Sequence, residues 1–299
     1  MDELMTDQAA AATARSLTGR AGYDAGFLGV PVPIPAPRGV KTVLLPYTHV
    51  SVLMRPDKRL AAVTALAMDG KKLMDLGRAG IQWRLDPRLS ADQQTGERVY
   101  AHNDIDRGHL VRRASAVWGD TRAEAEQANE DTFHYTNAAP QAAKFNQGIQ
   151  LWLGLESYLQ ENAADNSRRI IVFTGPIFGA TDPVYRGVDI PLKFFKVTAF
   201  LQAGKLAATG YVVDQTPSLA DLPDIPRLGV TDEAPPPGPF RTFQVPIRDI
   251  AALTGLGLDQ LVAVDRMPIA TALPSARVTE TWRELHSPED LDLDFDLGN

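Results

Sequence analysis

What most limits the fold of this chain is a series of apolar, β-branched runs broken by turn signals more often than by helices. Residues 41–54 read KTVLLPYTHVSVLM, and 59–70 read RLAAVTALAMDG, ending on the turn pair Asp69-Gly70. A buried strand is expected at 168–178, RRIIVFTGPIF, running into Gly175-Pro176. The runs 191-PLKFFKVTAFLQ-202 and 205-KLAATGYVVD-214 are spaced to pair as a hairpin. Shorter pieces are expected at 80-GIQWRLDPRL-89, a strand closed by Asp86-Pro87, and at 133-FHYTNAAP-140, a strand and turn. Helical patterns are fewer. One starts at 121–133 and another covers 246–261, with a glycine-containing end. The longest is 140–165, with Pro140 in its first turn and Phe145, Ile149, Trp152, Leu155 and Leu159 at helical spacing. Residues 216–240 read as a proline-rich loop. The pattern predicts a central, mostly antiparallel sheet flanked by helices, class α+β.

The 299 residues are 44% hydrophobic, enough core for one large domain or two ordinary ones. No run approaches a membrane span, and the absence of cysteine excludes disulfides and thiolate metal sites. The start, MDELMTDQAAAATARSL, is acidic with no apolar core, which favours a cytoplasmic location or export without a secretory signal. Residues 1–40 are expected to be an N-terminal arm, because the spaced prolines of 30-VPVPIPAPRG-39 favour an extended conformation. Residues 41–286 form the main domain, and 287–299 an acidic tail with five acids and no base. Net charge is −7, which argues against a simple basic nucleic-acid binder. The charge is uneven, however. Residues 54–113 hold twelve Lys/Arg against eight Asp/Glu.

At the end of that basic region lies 104-DIDRGHLVRR-113. Histidine is the side chain most able to serve as base and acid near neutral pH. Of the five present, His49, His102, His134 and His286 have surroundings that point to structural roles, although the loop position of His102 would also suit a metal. His109 is different. Gly108 allows backbone conformations that could aim its side chain, and Asp106 and Arg107 add charge for holding the backbone or binding an anion. Further on, Asn146 falls inside the longest helix pattern, where asparagine is a poor former and its amide oxygen could bind a hard cation.

DRGH, followed by TNAAPQ, FNQG, Trp152 and Glu156 in order, resembles the signature of the DNA/RNA non-specific endonucleases, a family with a ββα-metal active-site motif that includes mitochondrial endonuclease G. The segments 82-QWRLDPRL-89, 173-FTGPIF-178, 191-PLKFFKV-197 and 249-DIAALTGL-256 are similar as well, so the likeness spans about residues 41–265. The resemblance implies a Mg²⁺-dependent, sugar-non-specific endonuclease acting on DNA and RNA, with Mn²⁺ able to substitute. It implies His109 as the general base that activates water, Asn146 as the protein ligand of the metal, and Glu156 as the acid that orients water in the metal's shell. Arg107 would order the site or contact phosphate.

Two departures stand out. Asn146 and Glu156 are ten residues apart, two more than the family pattern, and two extra residues rotate Glu156 by about 200° on a helix. The helix must therefore start later, or carry a bulge, for both to face one metal. The family also commonly has an arginine where Gln160 stands. Arg84, Arg88, Arg112 or Arg113 would then supply the phosphate-binding charge. Two other readings remain open at this stage: metal-independent RNA cleavage by His102 and His109, and a catalytically silent nucleic-acid or partner-binding module on the same fold. A homodimer and an inhibitor or regulatory partner are compatible with the leading reading, since a free nuclease endangers its own genome.

Overall fold

A computed structural model describes residues 17–143, 163, 168–220, 241–267 and 282–285. Asn146, Glu156 and Gln160, most of the 140–165 helix pattern, most of the proline-rich loop, His286 and the acidic tail lie outside the described residues. Among the described residues the strands are β1 (Val43–Pro46), β2 (Val50–Arg55), β3 (Leu60–Asp69), β4 (Ile105–His109), β5 (Ala138–Ala142), β6 (Arg169–Ile177), β7 (Val184–Tyr185), β8 (Val188–Asp189), β9 (Lys193–Gln202), β10 (Lys205–Asp214), β11 (Arg241–Val245) and β12 (Arg283–Leu285). The helices are α1 (Glu97–Tyr100), α2 (Arg113–Ala116), α3 (Arg122–Asp131), α4 (Thr216–Ala220), α5 (Ile247–Thr254) and α6 (Asp259–Val262).

Eight strands make one antiparallel sheet in the order β1-β2-β3-β6-β9-β10-β11-β12. Its central strands are buried on both faces, which explains why β3 reads as an almost unbroken apolar run. Period-two alternation sorts the two cores. Leu66, Met68, Ile170, Val172 and Phe194 face one core. Val63, Ala65, Ile171, Phe173, Phe195 and Val197 face the other, where α5 packs through Ile247 and Ile250. Residues 17–40 cover this second face through Tyr23, Phe27, Leu28 and Val32. They are tied down by a Tyr23 hydroxyl that donates to Val32 O at 2.7 Å and by an Arg20–Asp131 ion pair at 2.7 Å.

The site arises from an excursion. β3 and β6 are sheet neighbours, with Asp69 opposite Arg169, and Gly70 N donates to Arg168 O at 2.9 Å. The chain between them leaves the sheet and forms a separate two-stranded ladder of β4 and β5. This ladder packs on the first core through Ile105, Leu110, Ala138, Ala139 and Ala142.

The sequence expectations need several corrections here. Residues 80–89 form no regular strand: only Arg84 bridges, in parallel, to His134, because the segment runs through Asp86-Pro87 and the amides of Asp86 and Arg88 are satisfied by side chains. Residues 135–137 form a 3₁₀ turn before β5. Pro140 is not in a helix but in β5, opposite Arg107, so strand geometry persists to Ala142 and helix first occurs at Ala143. The expected helix at 246–261 is two helices, divided where Gly255 adopts φ 69° as the C-cap of α5. His49 lies in the turn between β1 and β2 at φ 61°, not in a strand. The segment expected to be loop from 216 opens with α4.

Candidate active site

β4 places Arg107 and His109 two residues apart, hence on one side of the ladder, opposite Pro140 and Ala138. Gly108 between them does not use a positive φ, contrary to the expectation that it supplies an unusual backbone conformation. Its role is spatial. A Cβ at this position would stand 2.0 Å from the Gln141 side-chain amide, which lies across the glycine from β5.

The His109 imidazole sits against aromatic rings. Trp83 is 4.6 Å away between centroids and Phe133 is 5.2 Å away, edge-on. Trp83 is held in place because Arg84 N donates to Phe133 O and Tyr135 N donates to Arg84 O. Nε2 of His109 is buried and has no hydrogen-bond partner among the described residues. Burial, followed by the nearby charges of Arg113 and Arg78, pushes the imidazole down to about 3. The ring is therefore neutral across the physiological range, with Nε2 uncommitted among the described residues.

The cations around it crowd one another. Burial and the like charges of Arg78 and Arg112 lower the Arg113 guanidinium, with Asp75 opposing. Arg113 is anchored by donating to Leu76 O, and Asn129 Nδ2 donates to Gly77 O at 2.9 Å, so residues 76–78 are held beside the imidazole. Arg78 is exposed. This electropositive group is suited to an anion.

The other expected cations are placed differently. Arg84 Nε donates to His134 Nε2 at 3.1 Å, and its Nη2 points to Glu130 O. Arg88 is committed to an internal network: its guanidinium pairs with fully buried Asp86 at 2.6 Å and donates to Pro46 O at 2.8 Å. Tyr47, also buried, donates to Asp86 and exchanges a 2.7 Å hydrogen bond with Thr136. Burial opposes ionisation of Asp86, but hydrogen bonds from Arg88 and Tyr47 hold its carboxyl below the usual range. Arg88 is thus committed to Asp86 within the fold. Arg112 precedes α2 and lines a small cavity with Leu110, Ser115 and Lys196. Arg107 is bound to Glu97 of α1. His102 lies in a loop at φ 55° and His134 is a satisfied core residue. Among the described residues no three His, Cys, Asp or Glu side chains are placed to hold a metal. The orphaned His109 nitrogen suits the proton of a water rather than a hard cation, which takes oxygen ligands; the residues that would supply them, Asn146 and Glu156, lie outside the described residues.

Sequence reasoning missed Trp83, Phe133, Arg78 and Glu97. A signal was available for Trp83 in the QWRLDPRL likeness. Arg78 and Glu97 are single charged residues with no pattern around them.

Comparison with known proteins agrees with this geometry. The family described as DNA/RNA non-specific endonuclease matches residues 34–265. An uncharacterized protein of Sinorhizobium fredii is 38% identical over 270 residues, covering 83% of this chain and 40% of the relative. Mitochondrial endonuclease G of Homo sapiens is 29% identical over 195 residues, covering 61% of this chain and 57% of the relative. The chain therefore spans about half the length of the curated relatives it matches. A chain in the crystal structure of the EndoG/EndoGI complex shares the fold, with a TM-score of 0.53 at 17% identity, over 71% of this chain and 84% of that one. With more than half of its length matched and the DRGH strand in place at the site, this chain belongs to the DNA/RNA non-specific endonuclease family.

Proposed function

We propose that this chain hydrolyses phosphodiester bonds of DNA and RNA with the help of a divalent cation, Mg²⁺ or Mn²⁺. The observation that carries the reading is the His109 imidazole: neutral, with Nε2 unpartnered among the described residues, and flanked by Arg113 and Arg78. A neutral imidazole takes the proton from an attacking water. The arginines draw the phosphate towards that water and offset its charge. Trp83 and Phe133 shut bulk water away from the ring, which strengthens each of these charge interactions.

Asn146 would hold the cation and Glu156 would orient water beside it, both on the segment that follows β5. When bound, the cation supplies charge neutralisation at phosphorus and at the leaving oxygen. Helix first occurs at Ala143, ahead of Asn146, so for Asn146 and Glu156 to face one cation the segment would need a bulge between them. Attack by water needs no ribose 2′-hydroxyl, so one site serves both sugars, and arginine contacts to phosphate carry little base information.

Among the described residues no helix is long and apolar enough to cross a membrane. An inhibitor partner is part of the proposal, supported by the shared fold with a protein whose structure concerns inhibition of EndoG. The test is digestion of plasmid DNA and structured RNA with Mg²⁺, with Mn²⁺ and with EDTA. Cleavage of both substrates that stops in EDTA is the expected result. Cleavage of RNA alone, indifferent to EDTA, would point instead to 2′-hydroxyl chemistry. Binding without turnover would point to a silent module.

A further inference from the structure

Arg107 cannot be held from within its own ladder, because the residue opposite it is Pro140. It is held from outside. Its Nη2 donates to both carboxylate oxygens of Glu97, and its guanidinium lies 5.6 Å from the centre of the Tyr100 ring. The Tyr135 hydroxyl donates to the same carboxylate at 2.5 Å. Tyr100 and Tyr135 stack at 5.9 Å with 11° between planes, and Tyr135 is 5.7 Å from Trp83, the ring that meets His109. The carboxylate thus stands at one end of an aromatic row whose other end is the catalytic imidazole.

Glu97 is 57% exposed, and an ion pair that open adds little to folding. Its charge also has the wrong sign for a phosphate path. With Arg59 and Arg98 it lines an open cleft of about 490 Å³. A carboxylate there repels substrate, and what it offers in exchange is geometry.

We infer that Glu97 is a positioning residue, which fixes the Arg107 guanidinium on the side of β4 that also carries His109 before substrate arrives and does so at some loss of substrate affinity. The inference rests on the nuclease reading and on Arg107 ordering the site within it. Loss of the carboxylate is then expected to lower kcat and KM together, the first through lost geometry and the second through lost repulsion, which a purely structural role does not do.

The experiment measures kcat and KM on a short duplex at fixed salt for the full chain, for Glu97→Gln, for Arg107→Lys and for the double variant. Glu97→Gln is expected to lower kcat about tenfold, because the guanidinium loses its charged anchor, and to lower KM severalfold, because a repelling charge is gone. Glu97→Asp, which keeps the charge but not the reach to both partners, should lower kcat with KM unchanged. In the Arg107→Lys background, Glu97→Gln should cost less than about twofold, since its lever has been removed. Unchanged kcat and KM in Glu97→Gln, or an equal loss in both backgrounds, overturns the inference alone. An Arg107→Lys variant as fast as the wild type overturns the inference together with the site-ordering role of Arg107, whereas a wild type that does not cleave overturns the nuclease reading itself.

Discussion

His134 and His109 sit in pockets of similar make and opposite completeness. Each ring packs against an aromatic neighbour, Tyr47 at 4.9 Å for His134 and Trp83 at 4.6 Å for His109. Burial pushes both down, to about 4 and about 3. They differ in what their nitrogens meet. His134 donates from Nδ1 to Asp131 O at 2.9 Å and accepts at Nε2 from Arg84 at 3.1 Å, so the partners themselves fix the tautomer. His109 has nothing at Nε2 among the described residues, and two arginines stand nearby. A buried polar atom left without a partner is costly, and in native proteins such a group calls for an explanation. His134 commits its lone pair to the fold, whereas Nε2 of His109 has no such commitment among the described residues.

The sharpest way to break this comparison is His109→Ala. Cleavage should fall at least about a hundredfold, as expected for loss of a general base, while the urea midpoint stays near wild type. A near-wild-type rate on plasmid DNA would remove His109 from the role of base. His134→Ala should do the reverse. It leaves the Arg84 guanidinium without its acceptor and the Asp131 carbonyl without its donor, which costs about 1–3 kcal/mol of stability. The rate per folded molecule should stay within a few-fold, as denaturation and kinetics on one preparation would show.

A pH titration of stability sharpens the contrast further. Both histidines have folded values below the usual 6.5, so the unfolded chain binds protons that the folded one refuses. Stability should therefore be intact above about pH 6.5 and fall as pH drops towards 4, by up to about 1.4 kcal/mol per pH unit for each ring. His109→Asn should remove one ring's share of that slope. An unchanged slope would show that His109 titrates normally. The smallest expected effect belongs to Arg78→Gln. It should raise KM a few-fold and reduce the salt dependence of binding by about one unit of slope, with kcat little altered.

How much of this was legible in the sequence depends on the range of the interaction. The β9–β10 hairpin was legible because Lys205 pairs with Gln202 across a two-residue turn and the alternation is local. DRGH and its histidine were legible as a motif. The partnership of β4 with β5 was not, because Gly108 meets Ala139 only after α2 and α3 have returned the chain. Pro140 misled for the same reason. A proline at the head of an amphipathic run favours a helix start, but pairing with Arg107 extended the strand past it. Arg88 was expected at the substrate, and its commitment to Asp86 under the Tyr47 ring was not legible. Removing Arg88 would strand a fully buried carboxylate, a loss of about 3–5 kcal/mol.

The direct pairing of β3 with β6 bears on how the molecule breathes. Because Gly70 and Arg168 are hydrogen-bonded at the neck of the excursion, the sheet closes without help from the chain between them. The catalytic ladder can then exchange its amides with solvent as a unit of its own, below the free energy at which the sheet opens. Hydrogen exchange in β4 and β5 should therefore run ahead of that in β3 and β6. Nucleic acid entering the site should slow it there first, so that the protein gains order from its substrate in a region that loosens more readily than the sheet.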